Sequence, residues 1–375
     1  MHYTLIESDS ALAALVAEQG HTDTVVVDTE FMRRDTFYPQ AGLIQLCFAS
    51  DPKMAWLVDP LPIDDFGPLC ALFADESVTK VVHSASEDLE VFQQLLGRQP
   101  LPLFDTQRAA AFAGLGFGLG YRALVDQLAG IHIEKDETRS NWLARPLSPG
   151  QLNYAAADVV PLLPIYRELR QRLQQHQRLQ WVLEDGAAAA AAATTSGPPP
   201  YLRVKTAWKL NARQLAVLQS VCEWRESRAH SSDKPRNWIL HDKLCLLLAQ
   251  RAPQTIDDLR TLPEMPPAVV RKQGERLIEL VRAVLDLPES SLPPPMARPL
   301  DAAQRGSLKM LKQAAVELAA SWGIEAAAIL PARDYELMVR MGCGEAPETP
   351  DRWNGWRQQL VVEPLLRLVG VEASR

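Results

Sequence analysis

Four acidic residues and one tyrosine, carried by three distant segments, constrain the fold of this 375-residue chain more than any other feature. They are Asp28 and Glu30, then Asp88, then Tyr154 with Asp158. Each segment alone has an ordinary structural explanation and is weak evidence of a site. Their joint occurrence in one chain is strong evidence, and a fold that explains it brings the three segments together.

The first segment lies in a predicted strand. Residues 24–31 read Thr-Val-Val-Val-Asp-Thr-Glu-Phe, a β-branched run that is typical of a buried strand. Because side chains alternate between faces, Asp28 and Glu30 project to the same side. Two carboxylates that close repel each other unless a cation lies between them. For an isolated Asp-x-Glu, the charged end of a strand that reaches solvent is the simpler interpretation.

The second segment follows a predicted strand at residues 78–82. Ser84 and Glu87 have the spacing of a capping box, which predicts a helix with Asp88 in its first turn. The helix dipole favours an acid at that position, so a purely structural explanation exists. The dipole does not explain why the other two segments are present.

The third segment lies on a predicted helix. Ser148 is a plausible N-cap and Pro149 suits the first helical position. Tyr154 and Asp158 are four residues apart, so they share one face of that helix. A buried tyrosine with a solvated aspartate nearby is the structural alternative.

Oxygen ligands of this kind suit hard divalent cations, and a pair of such cations clamps the attacking and leaving oxygens of a phosphodiester. The motifs Asp28-x-Glu30, Asp88 and Tyr154-x₃-Asp158 resemble those of the DEDD superfamily of 3′–5′ exonucleases, in its tyrosine (DEDDy) branch. The residues around them are closely similar to those of the ribonuclease D family. In the segment 138–146, that family often has an acid where this chain has Asn141.

The resemblance implies a metal-dependent 3′–5′ exoribonuclease that releases nucleoside 5′-monophosphates from RNA 3′ ends, with tRNA precursors among its substrates. Two Mg²⁺ or Mn²⁺ ions would be bound by the four acids, Asp28, Glu30, Asp88 and Asp158. Tyr154 would orient the attacking water by a hydrogen bond, since a phenol with a pKa near 10 is a poor base.

Composition divides the chain into three blocks. An Ala/Pro-rich stretch at 186–200 and a Pro-rich stretch at 291–300 are predicted linkers. Strand and helix patterns alternate in 1–185, which predicts an α/β domain with a mixed sheet, of the ribonuclease H-like type that the resemblance implies. Residues 201–290 and 301–375 show helical periodicity only.

The two helical blocks resemble HRDC domains, small helical bundles shared by ribonuclease D and RecQ-type helicases. In 201–290 the resemblance is carried by a capping box at Asn211 and Gln214, by Trp224-Arg225 and by the segment 233–240. Residues 301–375 look like a second, diverged copy, with Trp322-Gly-Ile, Pro331-Ala-Arg-Asp-Tyr and Gly355-Trp-Arg at corresponding places. The resemblance implies that both blocks help hold structured RNA.

Charge follows the same division. Residues 1–185 contain 14 Lys+Arg against 25 Asp+Glu, residues 201–290 contain 15 against 11, and residues 291–375 contain 10 against 10. An acidic catalytic domain suits a polyanionic substrate only if metals neutralise its site. The basic middle block is consistent with binding to phosphate backbones, although its excess is modest.

The sequence indicates a cytoplasmic protein without a membrane partner. Its N-terminus lacks the basic and apolar stretches of a secretory signal, and no apolar segment is long enough to cross a bilayer. The five cysteines are scattered without a C-x-x-C pair, which argues against a zinc site or a disulfide framework.

Four other features have two interpretations each. Phe31 would stack on the terminal base or belong to the core. His83 would contact substrate or close a strand by a hydrogen bond. Asp105 reads as an N-cap or a support of the site wall. The glycines at 114–120 lack the G-x-G-x-x-G spacing, so they predict a turn before a helix rather than a phosphate loop.

Two functional alternatives remain. The same chemistry on DNA is compatible with every motif, because discrimination depends on contacts to the 2′-hydroxyl that the sequence does not locate. A non-catalytic nucleic-acid-binding protein with a decayed exonuclease fold is the other alternative. The presence of all four acids and the tyrosine argues against decay.

Overall fold

The computed structural model describes residues 1–133, 140–195 and 197–371. These residues form two compact units. The first unit contains the described residues of Met1–Met32, Pro39–Thr195 and Leu300–Arg375. The second contains Arg33–Tyr38 and the described residues of Ser196–Pro299.

A six-stranded mixed sheet forms the centre of the first unit, as the sequence predicts. Its strands are β1 (His2–Ile6), β2 (Thr24–Met32), β3 (Gln40–Phe48), β4 (Met54–Val58), β5 (Thr79–Val82) and β6 (Leu103–Asp105). Their order is β1-β4-β3-β2-β5-β6. The β2–β3 and β3–β4 pairs are antiparallel, whereas β1–β4, β2–β5 and β5–β6 are parallel. Strand β2, with its two carboxylates, therefore lies inside the sheet.

Helices cover both faces of this sheet. They are α1 (Asp9–Gln19), α2 (Gly67–Ala74), α3 (Ser86–Leu96), α4 (Thr106–Phe112), α5 (Tyr121–Ala129), α6 (Pro149–Val159), α7 (Leu162–Gln175) and α8 (Leu179–Thr194). Alternate residues of β2 belong to different cores: Val25 and Val27 pack with α1 to α3, whereas Val26 packs with α4 to α8. This division follows from the period of two along a strand.

The structure differs from the composition-based prediction at the alanine run. Helix α8 continues through residues 187–193 to Thr194, where a linker beginning at 186 was expected. Alanine has the highest helix propensity, so the run extends a helix that is already nucleated. Gly186 permits close packing, since a Cβ there would lie 2.2 Å from the Leu103 carbonyl oxygen.

The second unit is a helical bundle with its own apolar core. Its helices are α9 (Ala212–Ser232), α10 (Arg236–Ile239), α11 (Asp242–Arg251), α12 (Ile256–Arg260) and α13 (Pro267–Leu285). The predicted capping box of Asn211 and Gln214 is confirmed at the start of α9. Asp233, at the end of α9, accepts hydrogen bonds from the Phe37 and Tyr38 amides at 2.9 and 3.0 Å. The short segment Arg33–Tyr38 is thereby part of this bundle.

The C-terminal helices pack in the first unit. They are α14 (Ala302–Ser321), α15 (Ala326–Ile329), α16 (Ala332–Gly342) and α17 (Glu363–Leu368). Trp356 stacks on Trp181 of α8 with ring centroids 4.1 Å apart, and Asp185 of α8 forms ion pairs with Arg108 and Arg357. Among the described residues, no helix combines the length and apolar character needed to cross a membrane.

Candidate active site

Strand β2 presents Asp28 and Glu30 on the sheet face that α6 covers. Both residues share the parity of Val26, which belongs to the core beneath α6. Both side chains are half-buried. The register between β2 and β3 shifts directly after Glu30, and bulges of this kind are frequent beside active sites.

Asp88 approaches the same end of β2 from α3. Its buried carboxylate accepts a short hydrogen bond from the Thr29 hydroxyl. Thr29 lies between the two acids of β2 and points to the opposite face, where α3 packs. The first motif therefore supplies two carboxylates, Asp28 and Glu30, on one face of β2. On the opposite face it supplies the Thr29 hydroxyl, which fixes the carboxylate of Asp88.

The predicted capping box at Ser84 is wrong, although Asp88 does lie in the first helical turn. Helix α3 begins at Ser86, and Ser84 has a left-handed backbone with φ of 61°. The Ser84 and Ala85 amides instead donate to the Asp105 carboxylate, at 3.0 and 3.1 Å. Asp105 also caps α4 by accepting from the Gln107 amide at 2.8 Å. The predicted N-cap role of Asp105 is confirmed, and the same side chain fixes the turn before Asp88.

Helix α6 supplies Tyr154 and Asp158. Its start is the predicted one, since Ser148 caps it and Pro149 is its first residue. The structure adds a capping box between Ser148 and Gln151 that was not predicted. Asp158 follows Tyr154 by four residues, and both side chains are half-buried. The Tyr154 ring lies 6.1 Å from that of Trp142, centroid to centroid.

The three segments converge. Carboxylate oxygens of Asp28, Glu30 and Asp158 all lie within 4.8 Å of one another. Asp88, held by Thr29, is close enough to raise the pKa of each of the other three acids by charge repulsion. Asp28, Glu30 and Asp158, from β2 and α6, thus form one acidic cluster, and Asp88 on α3 lies beside it, bound to Thr29.

The electrostatics of the cluster disfavour four negative charges. Burial, followed by repulsion from its neighbours, raises the pKa of Glu30 to about 9, and burial raises the pKa of Asp88 and Asp158 to about 7. The pKa of Asp28 is raised well above its usual value by burial and by the other three acids. A divalent cation relieves this repulsion, and an all-carboxylate donor set suits hard ions. The residues present therefore fit a divalent metal ion.

Two predicted substrate contacts lie near the cluster without joining it. His83 Nδ1 is 3.0 Å from the Thr106 hydroxyl, which in turn donates to the Val82 carbonyl. Burial lowers the pKa of His83, in keeping with a histidine that closes a strand. Phe31 is half-buried beside the bulge. Substrate contact by either residue stays a prediction.

Tyr121 and Arg122 belong to the surroundings of the site but were missed in the sequence. The Tyr121 hydroxyl donates to the Ala157 carbonyl at 2.5 Å, next to Asp158. The pKa of Tyr121 is raised by burial and then by the charges of Asp158 and Asp28. The positive charge of Arg122 acts in the opposite direction on Asp158 and lowers its pKa. The available signal was the glycine-rich turn at 114–120, which ends where α5 begins.

Comparisons with known proteins identify the family of the chain. Residues 3–174 match the family described as 3′–5′ exonuclease, and residues 214–281 match the HRDC domain. The chain is 40% identical over 364 residues to ribonuclease D of Pseudomonas paraeruginosa, covering 96% of each. It is 34% identical over 387 residues to ribonuclease D of Escherichia coli K12, covering 98% of this chain and 99% of that protein.

Solved structures give the same result for the fold. The crystal structure of Escherichia coli RNase D, described as an exoribonuclease involved in structured RNA processing, superposes with a TM-score of 0.92 at 34% identity, covering 99% of both chains. The catalytic core of RRP6 from Trypanosoma brucei superposes with a TM-score of 0.55 at 22% identity, covering 76% of this chain and 79% of that one. The second likeness is one of fold alone.

Proposed function

The chain belongs to the ribonuclease D family and is a 3′–5′ exoribonuclease, and on that premise we propose that it trims structured RNAs, tRNA precursors among them, at the acidic cluster. The observation that carries the proposal is the convergence of Asp28, Glu30 and Asp158 within 4.8 Å. Each cycle would hydrolyse the last phosphodiester and release a nucleoside 5′-monophosphate. The free cysteines are consistent with action in the cytoplasm.

The four acids would hold two Mg²⁺ or Mn²⁺ ions. When bound, such a pair supplies a hydroxide nucleophile at neutral pH and neutralises charge on the leaving 3′ oxygen. The contribution of the chain is to keep four carboxylates together despite their repulsion. The packing of α3 and α6 against β2 does this, and the Thr29 hydroxyl fixes Asp88.

We assign Tyr154 to orientation of the attacking water. A phenol with a pKa near 10 holds its proton at neutral pH, so it donates a hydrogen bond rather than accepting a proton. Its place one helical turn before Asp158 keeps the phenol on the face of α6 that carries the acid. Tyr154→Phe would remove the hydroxyl and leave the cation ligands in place.

We further propose that the C-terminal helices are a second, diverged HRDC-like bundle. The helices α9, α10 and α11 have 21, 4 and 10 residues, and α14, α15 and α16 have 20, 4 and 11. Both long helices begin with a capping box that ends in glutamine. Superposition of 212–251 on 302–342 in an experimental structure tests this: corresponding helices should overlay in order.

A 5′-labelled tRNA with extra 3′ nucleotides tests the function, incubated with Mg²⁺ or Mn²⁺ beside a DNA strand of matched sequence. We expect stepwise 3′ shortening of the RNA, release of 5′-monophosphates and loss of activity in EDTA. Asp28→Ala should abolish turnover and keep the fold, because it removes one cation ligand. Tyr154→Phe should slow turnover by roughly 10²–10⁴-fold, the usual contribution of a positioned proton donor or acceptor.

The outcomes separate the alternatives. Shortening of DNA at a comparable rate would make the enzyme a general 3′–5′ exonuclease. Binding of RNA without shortening would favour the non-catalytic alternative. Full activity in Asp28→Ala would contradict the assignment of the acidic cluster.

A further inference from the structure

The strand beside β2 buries a glutamine whose side chain has no partner. Gln45 on β3 is 0% exposed, and neither its Oε1 nor its Nε2 makes a hydrogen bond within the part of the chain that the structure describes. Leaving a buried polar group unsatisfied costs about 1–3 kcal/mol. An apolar side chain of similar length would avoid that cost, so stability of the fold does not explain the amide.

The register of the sheet places Gln45 next to Asp28, since the two residues are Cα partners in the β2–β3 ladder. Directly opposed residues of antiparallel strands point to the same face, with Cβ atoms roughly 4.5–5.5 Å apart. The other neighbours of Gln45 on that face are apolar: Leu57 is its partner on β4, and Leu43 and Cys47 flank it on β3. Asp28 is the charged side chain that the ladder brings beside the amide.

We propose that Gln45 is a positioning residue of the acidic cluster: once a cation is bound, its Nε2, which has no partner among the residues described, donates a hydrogen bond to the Asp28 carboxylate and holds it in its cation-binding orientation. The inference rests on the cation site of the proposed function. Ligating carboxylates are commonly held by hydrogen bonds from residues behind them, and loss of such a partner typically weakens metal binding about 10–100-fold. Gln45 acts through Asp28 and is not itself a ligand.

The variant Gln45→Met tests this proposal on the full chain, because methionine is unbranched and of similar length but cannot hydrogen-bond as an amide does. Mn²⁺ binding is measured by calorimetry, and thermal unfolding is measured in EDTA. We expect a Kd for Mn²⁺ that is about 10–100-fold higher than in the wild type. The unfolding temperature in EDTA should be equal to or above that of the wild type, because the variant removes an unsatisfied amide.

Opposite changes in metal affinity and stability distinguish positioning from a structural role. Unchanged Mn²⁺ affinity in Gln45→Met overturns the proposal. A variant that fails to fold, or unfolds more readily in EDTA, also overturns it. That result would make Gln45 structural, for example as a partner of the Trp142 indole N–H, which is likewise unpaired within the described residues.

Two comparisons complete the test. Cys47→Ala, two residues further on the same face of β3, is the matched control: it should lower the unfolding temperature and keep the wild-type Mn²⁺ affinity. Mn²⁺ binding by the wild type separates failure of the cation site from failure of the Gln45 role. If the wild type binds no Mn²⁺, the cation site fails and the role of Gln45 fails with it; if only the variant effect is missing, the inference alone fails.

Discussion

The acidic residues of the site hold protons more tightly than free carboxylates do, because burial and mutual repulsion both disfavour their charged forms. Glu30 has a pKa of about 9, and Asp88 and Asp158 have pKa values of about 7. A divalent cation replaces those protons and supplies the positive charge that the cluster lacks. The acidic cluster therefore destabilises the metal-free protein when its carboxylates are charged, and a bound divalent cation removes that cost.

The stability of the metal-free protein, and therefore the stabilisation by a bound cation, depends on pH. Carboxylates whose folded pKa exceeds the unfolded value of roughly 4 stabilise the metal-free protein at low pH, and that contribution is lost as pH rises through the folded pKa. We expect the rise in unfolding temperature caused by saturating Mg²⁺ to grow between about pH 5 and pH 9. Thermal unfolding with Mg²⁺ and with EDTA measures it, and a rise that stays constant across this window would contradict the pKa values of Glu30, Asp88 and Asp158.

Residue identity in the site was predictable only where a local pattern marked it. Asp28, Glu30, Asp88, Tyr154 and Asp158 fall in short motifs with characteristic spacing. The remaining participants do not. Tyr121 lies beside Asp158 through helix packing, and Gln45 lies beside Asp28 through strand register, and both are long-range consequences of the fold.

At the scale of elements, caps and strand periods were predictable and close packing was not. The N-cap of α6 and the capping box of α9 stand where the sequence indicates, because a cap is a contact between residues a few positions apart. The turn before α3 was predicted wrongly, because its amides are satisfied by Asp105, which is 20 residues away from Ala85. The sequence predicted a linker from Gly186, which lies inside helix α8, because glycine and the alanine run after it have the composition of a linker.

For Gly186, close packing and helix propensity predict stability changes of opposite sign on substitution by alanine. Alanine is the better helix former by about 1 kcal/mol, yet a Cβ at this position would lie 2.2 Å from the Leu103 carbonyl oxygen. We expect Gly186→Ala to destabilise the protein by about 1–3 kcal/mol, the usual cost of overpacking. Chemical denaturation measures the change.

The exposed neighbour Ala187 gives the control, because it lies on the same helix without a close contact of this kind. Ala187→Gly should cost about 1 kcal/mol from propensity alone. Stabilisation by Gly186→Ala would show that α8 does not pack against β6 at this distance.

At the scale of the whole molecule, the C-terminal helices are part of the first unit. Asp185 of α8 receives hydrogen bonds from Arg108 of α4 and from Arg357, which precedes α17. Burial alone would raise the pKa of Asp185, but the two guanidinium groups hold that pKa below its usual value. The sequence indicated three blocks by composition, but composition does not show which blocks share a core.

Asp185→Ala should destabilise the first unit by about 3–5 kcal/mol, because it leaves Arg108 and Arg357 without their carboxylate in a largely buried network. Glu168→Ala is the control, since it breaks a surface ion pair with Arg172 and should cost less than about 1 kcal/mol. Denaturation of both variants measures the difference. Equal stabilities would show that the buried network does not hold the C-terminal helices in place.

The proposed function requires that four carboxylates from three segments together hold two divalent cations for cleavage of an RNA 3′ end. The most direct test is a count of bound Mn²⁺ by electron paramagnetic resonance of the free ion, with a nucleoside 5′-monophosphate present as the reaction product. We predict two ions bound by the wild type and fewer by Asp28→Asn, which keeps the size of the side chain and removes its charge. Absence of stoichiometric binding, or an unchanged count in Asp28→Asn, would contradict the claim.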